Sequence, residues 1–219
     1  MRLVIGNKNY SSWSLRAWLL LRQLDIAFEE VMLKLDSEEF ERTIGRYSPA
    51  RRVPVLVDGE LTVWDTLAIT EYLAERFPEL CIWPFEGHAR ARARCVCAEM
   101  HSGFSALRNA MPMNVTAHLP GLGWNLEVQG DIDRITSMWN GLLERSGGPF
   151  LFGAFCAADA FFAPVASRFL TYAVALAQPL ADYRDRILAL PAMREWCAAA
   201  AAEPEYLSYD EPYRKTRQG

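Results

Sequence analysis

Apolar and polar positions change rhythm several times along the first 77 residues, and each change marks an element. Leu3–Gly6 is a short apolar run and reads as a strand. Ser14–Leu24 carries Leu15, Trp18, Leu19, Leu20, Leu21 and Leu24, a helix apolar nearly all round and so buried on most sides. Phe28–Leu33 returns to strand spacing through Phe28, Val31 and Leu33. A polar helix follows Asp36, read as its N-cap, and Ser48-Pro49 ends it. Val53–Val57, the Asp58-Gly59 turn and Leu61–Trp64 spell a hairpin. From Thr66 the apolar positions Ile69, Tyr72, Leu73 and Phe77 fall at helical spacing.

The resulting order, strand-helix-strand-helix-strand-strand-helix, is that of an α/β thioredoxin-like domain, assigned to residues 1–78. Pro78, Pro84 and Gly87 punctuate a linker over 79–87. Beyond it the spacing predicts helices over Gly87–Met111, Glu127–Arg145, Ala158–Ala177 and Ala192–Ala202, and no strand. Residues 88–219 therefore form an all-α carboxy-terminal domain of ordinary size.

Composition narrows the class. The chain has 219 residues, 51% of them apolar, enough for a sizeable core. Its net charge of −4 argues against a nucleic-acid surface. The apolar stretch 157–177 contains Asp159, Pro164 and Arg168, and reads as a buried helix rather than a membrane span. Five cysteines without framework spacing, and no leader segment, give a cytoplasmic protein with free thiols. Cys97 and His101 share a helix face, but too few ligands surround them for a metal site.

Chemistry gathers at three places. The first is the Tyr10–Arg16 turn. Ser11 and Ser12 stand where the first long helix begins, so hydroxyls and free N–H groups meet the positive helix end, a site for an anion such as a thiolate. As plain caps they would do no chemistry. The second is Val53-Pro54; were that bond cis, the Val53 N–H and C=O would be open to an extended peptide. The third is Asp65-Thr66, whose carboxylate and hydroxyl suit the ammonium and carboxylate of an α-amino acid, with Arg52 placed for a second carboxylate. A thiol, a peptide middle, an amino-acid head and a second carboxylate together describe glutathione.

The chain resembles a bacterial glutathione S-transferase of the Ser-type, zeta- and theta-like kind over essentially its whole length. Ser11-Ser12-Trp13-Ser14 with Arg16 matches the family's Ser-Ser-x-x-x-Arg pattern. Arg52-Val53-Pro54-Val55-Leu56 resembles its Lys-Val-Pro-x-Leu segment, and Asp65-Thr66-Leu67-Ala68-Ile69 its Glu-Ser-x-Ala-Ile segment. The resemblance implies a glutathione thiol held as thiolate by Ser12 or Ser11, with Tyr10 as rival donor. It assigns Arg52 to the glycine carboxylate, Val53 and Pro54 to the peptide, and Asp65 and Thr66 to the γ-glutamyl head. It puts a small hydrophobic electrophile in a cleft walled by Tyr10, Trp13, His101, Phe104, Met111 and Trp124. Met100 and Met113 are further wall candidates. It also implies a homodimer. An isomerase of the maleylacetoacetate type and a non-catalytic binding module are the alternatives. Phe155–Asp159 resembles the family's helix-capping segment, with Cys156 where a hydroxyl residue is usual.

Overall fold

The computed structural model describes residues 1–214. Strands β1 (Arg2–Ile5), β2 (Glu29–Met32), β3 (Val55–Asp58) and β4 (Leu61–Trp64) form one sheet in the order β2-β1-β3-β4. β1 runs parallel to β2, through Val4 opposite Val31, and antiparallel to β3, through Leu3 opposite Leu56. Alternation divides the sheet into two faces. Leu3, Ile5 and Leu56 join the main core under helices α1 (Ser12–Gln23) and α3 (Thr66–Arg76). Val4, Val55 and Val57 meet Phe40 of the short helix α2 (Glu38–Thr43) on the other side. This is a thioredoxin-like unit, and it is followed by an all-α region.

That region contains α4 (Gly87–Ser102), α5 (Ser105–Ala110), α6 (Leu126–Ser146), α7 (Ala157–Thr171), α8 (Gln178–Ala189) and α9 (Pro191–Ala202). Helix α7 runs through its middle, with every residue but Leu170 buried. Trp139 of α6 packs edge-on against Phe162 of α7 and Tyr183 of α8, and Trp18 meets Trp196 at 5.2 Å, locking α1 to α9. Among the described residues no helix is long and apolar enough to cross a membrane.

Several boundaries differ from the sequence reading. Helix α1 starts at Ser12, because Ser11 caps it. Ser37, not Asp36, caps α2; Asp36 has φ 54° and cannot supply the extended backbone that an N-cap uses. The helix expected over Gly87–Met111 is two. A Cβ on Gly103 would lie 2.9 Å from the Glu99 carbonyl oxygen, and Phe104 turns left-handed at φ 59°. Helix α5 restarts there, and the Asp131 carboxylate of α6 accepts from the Leu107 N–H at 2.9 Å. Replacing Asp131 by Ala removes that acceptor and should lower stability by about 1 kcal/mol in a urea titration. The helix expected to reach Ala177 stops at Thr171, where Ala173 turns to φ 53°. Helix α8 has no counterpart in the sequence reading, although Pro179 near its start and Leu180, Tyr183 and Ile187 at helical spacing announce it.

Asp159 does the capping work at the start of α7. Its carboxylate accepts from the N–H groups of Cys156 (3.0 Å) and Leu151 (3.1 Å) and from the Tyr183 hydroxyl (3.0 Å). Cys156 is fully buried, and burial pushes its thiol well above the ordinary range.

Candidate functional site

Two hollows of about 480 Å³ each open between the sheet unit and the helices, sharing Trp13, Arg52, Val53 and Arg108. Ser11 and Ser12 line one, together with Tyr10; Asp65, Thr66 and His101 line the other. The three polar clusters found along the sequence thus meet in one place. A larger hollow of about 610 Å³ lies against Arg92, Leu142 and Arg145, and no sequence-predicted site residue lines it.

The Ser turn is built by backbone bonds. The Asn7 carbonyl accepts from the N–H groups of Tyr10 (3.2 Å) and Ser11 (2.8 Å), and the Tyr10 carbonyl from that of Ser12 (2.8 Å). The two hydroxyls then have different fates. That of Ser11 bonds the Ser14 hydroxyl at 2.7 Å and caps the Ser14 N–H at 3.4 Å. Ser14 in turn accepts from the Gly6 N–H at 3.0 Å. The Ser12 hydroxyl takes no partner among the described residues, though it stands at the first position of α1 beside the hollow. Tyr10 is spoken for: its hydroxyl donates to Glu211 at 2.9 Å, and burial together with that carboxylate pushes its pKa to about 12.

On the other side, the Val53–Pro54 bond is cis and both residues line the hollow. Asp65 holds φ 75°, a conformation that costs a non-glycine residue about 1–3 kcal/mol and persists where the surroundings enforce it. One carboxylate oxygen caps the Leu67 N–H at 2.8 Å; the other meets His101 Nε2 at 3.2 Å. Burial lowers the His101 pKa, against the pull of Asp65. The Thr66 hydroxyl is buried without a partner at the first turn of α3, an acceptor and donor left waiting beside the helix N-terminus.

Positive charge surrounds these groups. The Trp13 ring takes the Arg16 guanidinium at 4.3 Å and that of Arg108 at 4.7 Å, with the His101 ring edge-on at 5.0 Å. Arg16 is buried with Nε and Nη1 unpartnered; desolvation, then Arg108 and Arg168, bring its pKa down to about 9. Arg168 is likewise brought down to about 10, chiefly by burial, and donates to the carbonyls of Met111 (2.8 Å) and Pro164 (3.3 Å). Neither Arg108 nor Arg168 forms an ion pair with a carboxylate among the described residues.

Of the residues expected in the cleft, Tyr10, Trp13 and His101 line these hollows. Phe104, Met111 and Trp124 line neither. Phe104 is buried at the α4–α5 junction, Met111 is in the core, and Trp124 stands 56% exposed with its indole N–H on Gln129. Met100 is also in the core, whereas Met113 lines the hollow beside Ser12. Arg108, Arg168, Tyr209 and Asp210 line it without having been singled out as site residues. A guanidinium inside an apolar helix was the available signal for Arg168; for Tyr209 and Asp210, near the chain's end, there was none.

Comparison with known proteins gives the following. The family model "Glutathione S-transferase, N-terminal domain" matches residues 10–76. A probable maleylacetoacetate isomerase of Caenorhabditis elegans is 30% identical over 138 residues, which are 62% of this chain and 63% of that protein. The chain thus spans less than two thirds of that curated relative. A Burkholderia glutathione transferase homologue, solved with bound glutathione, superposes with a TM-score of 0.73 at 23% identity, over 92% of this chain and 98% of that one. A bacterial maleyl pyruvate isomerase, described as a zeta-class glutathione S-transferase, gives 0.70 at 21% identity, over 94% and 100%.

Proposed function

We propose that this chain, whose residues 10–76 match the family model of the glutathione S-transferase N-terminal domain, binds glutathione in the joined hollows and turns its thiol on a small electrophile. Ser12 donates a hydrogen bond to the sulfur. The bound thiol gives up its proton to water, and the thiolate attacks the electrophilic carbon, forming a C–S bond as the leaving group departs with the electron pair of its broken bond. A charge-assisted donor and the N-terminus of α1 both favour the anion, and each unit taken off the thiol pKa corresponds to about 1.4 kcal/mol. Val53 meets the peptide groups beside Pro54. Thr66 and the first turn of α3 take the γ-glutamyl carboxylate, Asp65 the ammonium, and Arg52 the glycine carboxylate. Residues 1–78 act as the glutathione-binding domain and 88–219, of which 215–219 lie outside the described residues, as the helical one; the protein works as a cytoplasmic homodimer.

The observation that carries this reading is that Ser12 and Thr66, each at the first position of a helix and each with a hydroxyl that has no partner among the described residues, line the two connected hollows. Calorimetric titration with glutathione tests it. Heat of binding in the wild type, weakened in Thr66→Val, supports it; no binding leaves the alternative of a non-catalytic module.

The guanidiniums of Arg108 and Arg168 favour a second reading of the electrophile. Two cations without carboxylate partners suit a carboxylate-bearing substrate better than the purely hydrophobic one implied by resemblance, and so favour the isomerase of the maleylacetoacetate type. In that reaction the thiolate adds to the substrate, bond rotation follows, and glutathione leaves unchanged. Arg108→Ala should lower kcat/KM for maleylacetoacetate by about 10- to 100-fold, the worth of a hydrogen bond to a charged group. Its effect on uncharged chlorodinitrobenzene should stay within about threefold. Equal losses on both substrates would leave Arg108 as a packing residue for Trp13.

A further inference from the structure

The turn that delivers Ser11 and Ser12 is held from the far end of the chain. Beyond β1 lie the backbone N–H groups of Lys8 and Asn9. Both donate to one carboxylate, that of Glu203: Lys8 to Oε1 at 2.7 Å and Asn9 to Oε2 at 3.2 Å. Glu203 directly follows α9, with Pro204 after it, and is only 7% exposed. The indole N–H of Trp196 on α9 donates to the Lys8 carbonyl at 2.8 Å.

The geometry of one peptide plane makes this more than a tether. The Lys8 N–H and the Asn7 C=O belong to the same rigid unit. Glu203 takes the N–H on one side; the carbonyl on the other side accepts from the Tyr10 and Ser11 N–H groups that form the turn. Rotating that plane moves the Ser11–Ser12 turn with it. An apolar residue at 203 would hold the chain end without fixing the plane. A carboxylate does both, although burying it is unfavourable, as its raised pKa reflects.

We propose that Glu203 is a positioning residue, fixing the Asn7–Lys8 peptide and through it the Ser12 hydroxyl against the glutathione sulfur. This rests on the reading of Ser12 as the thiol's donor. Glu203→Gln keeps the size but sets an NH2 group against one of the two N–H donors. The variant should raise the apparent pKa of the bound thiol, read by its ultraviolet thiolate absorbance, by about half to one unit. At a pH below that pKa, kcat should fall by about 3- to 10-fold, while the KM for glutathione stays within about twofold, since Val53, Asp65 and Thr66 are untouched. Glu203→Asp, which restores the carboxylate, should recover part of the shift. It also serves as the reporting variant, against wild type, should Glu203→Gln not fold. Tyr213→Phe, which frees the same chain segment from the Ala110 carbonyl, should leave the thiol pKa unchanged. A Glu203 variant with lowered melting temperature but an unshifted thiol pKa and kcat would show a plain tether and overturn the proposal. A wild-type protein that binds no glutathione would instead overturn the functional reading on which the proposal stands.

Discussion

Glutathione bound to Ser12→Ala protein should titrate its thiol about one to two pKa units higher than in the wild-type complex, the worth of a hydrogen bond to a charged acceptor. Near neutral pH, kcat/KM should fall by about 10- to 100-fold. The loss has a pH signature. Only the ionised sulfur attacks, so raising the thiol pKa moves the acid limb of the rate profile to higher pH. Activity lost at pH 6.5 should therefore return in large part as pH rises past the shifted pKa. Ser11→Ala should behave differently. Its hydroxyl is engaged with Ser14 and caps α1, so its removal costs about 1 kcal/mol of stability and shifts the thiol less. Tyr10→Phe should leave the thiol where it is, because the Tyr10 hydroxyl is turned to Glu211. If Ser11→Ala gives the larger thiol shift, the donor is Ser11 and the assignment to Ser12 fails.

The parts of this site that could be read from sequence are those whose determinants are local. The Ser11–Ser12 turn follows from a strand that stops and a helix that starts within a few residues. The hairpin of β3 and β4 follows from Asp58-Gly59 between two apolar runs, and its register, Asp58 opposite Leu61, is what so short a turn permits. Thr66 was legible because helix starts attract hydroxyl residues for a physical reason. The rest depends on groups that meet only after folding. The break between α4 and α5 looks weak in sequence because its cap, Asp131, comes from another helix. Trp124, given to the cleft by the family resemblance, has its indole satisfied by Gln129 on the surface. Arg108 and Arg168 stand on separate helices, far apart in the sequence, and come to line one hollow only through the tertiary fold. Glu203 lies further still, and no spacing rule connects it to Lys8.

Trp13 shows how these two kinds of information combine. Its position after the two serines is fixed by the local turn. Its role depends on Arg16 one helical turn on, on Arg108 from α5 and on His101 from α4. The indole covers a buried guanidinium that would otherwise meet no partner on two of its nitrogens, an attraction worth about 2 kcal/mol when desolvated. The same ring is a wall common to both hollows. Packing of the Ser-Ser-x-x-x-Arg segment and the shape of the site are therefore one problem, solved by one side chain.

Asp159→Ala should be strongly destabilising although it lies outside the site. Three buried donors lose their acceptor at once: the N–H groups of Leu151 and Cys156 and the Tyr183 hydroxyl. Each orphan costs about 1–3 kcal/mol. Against this stands the relief of no longer burying a charge. Desolvation outweighs the hydrogen bonds to the carboxylate and raises the Asp159 pKa from 3.8 to about 6, a net cost of about 3 kcal/mol at neutral pH. The net loss is thus about 3 kcal/mol, a large part of an ordinary domain's stability. The raised pKa also fixes a sign. Between pH 4 and 6 the folded chain holds a proton on Asp159 that the unfolded chain releases, so the Asp159 contribution to stability falls as pH rises through that window and is level above it. Asp210, also raised to about 6, and Glu203 act in the same direction, so the measurement must be a difference. Urea unfolding of wild type and Asp159→Asn across pH 4 to 7 should give a gap that shifts by about 3 kcal/mol in favour of wild type at the acid end. A gap independent of pH would mean that the buried carboxyl titrates at its ordinary value, and that its hydrogen bonds fully offset the cost of burial.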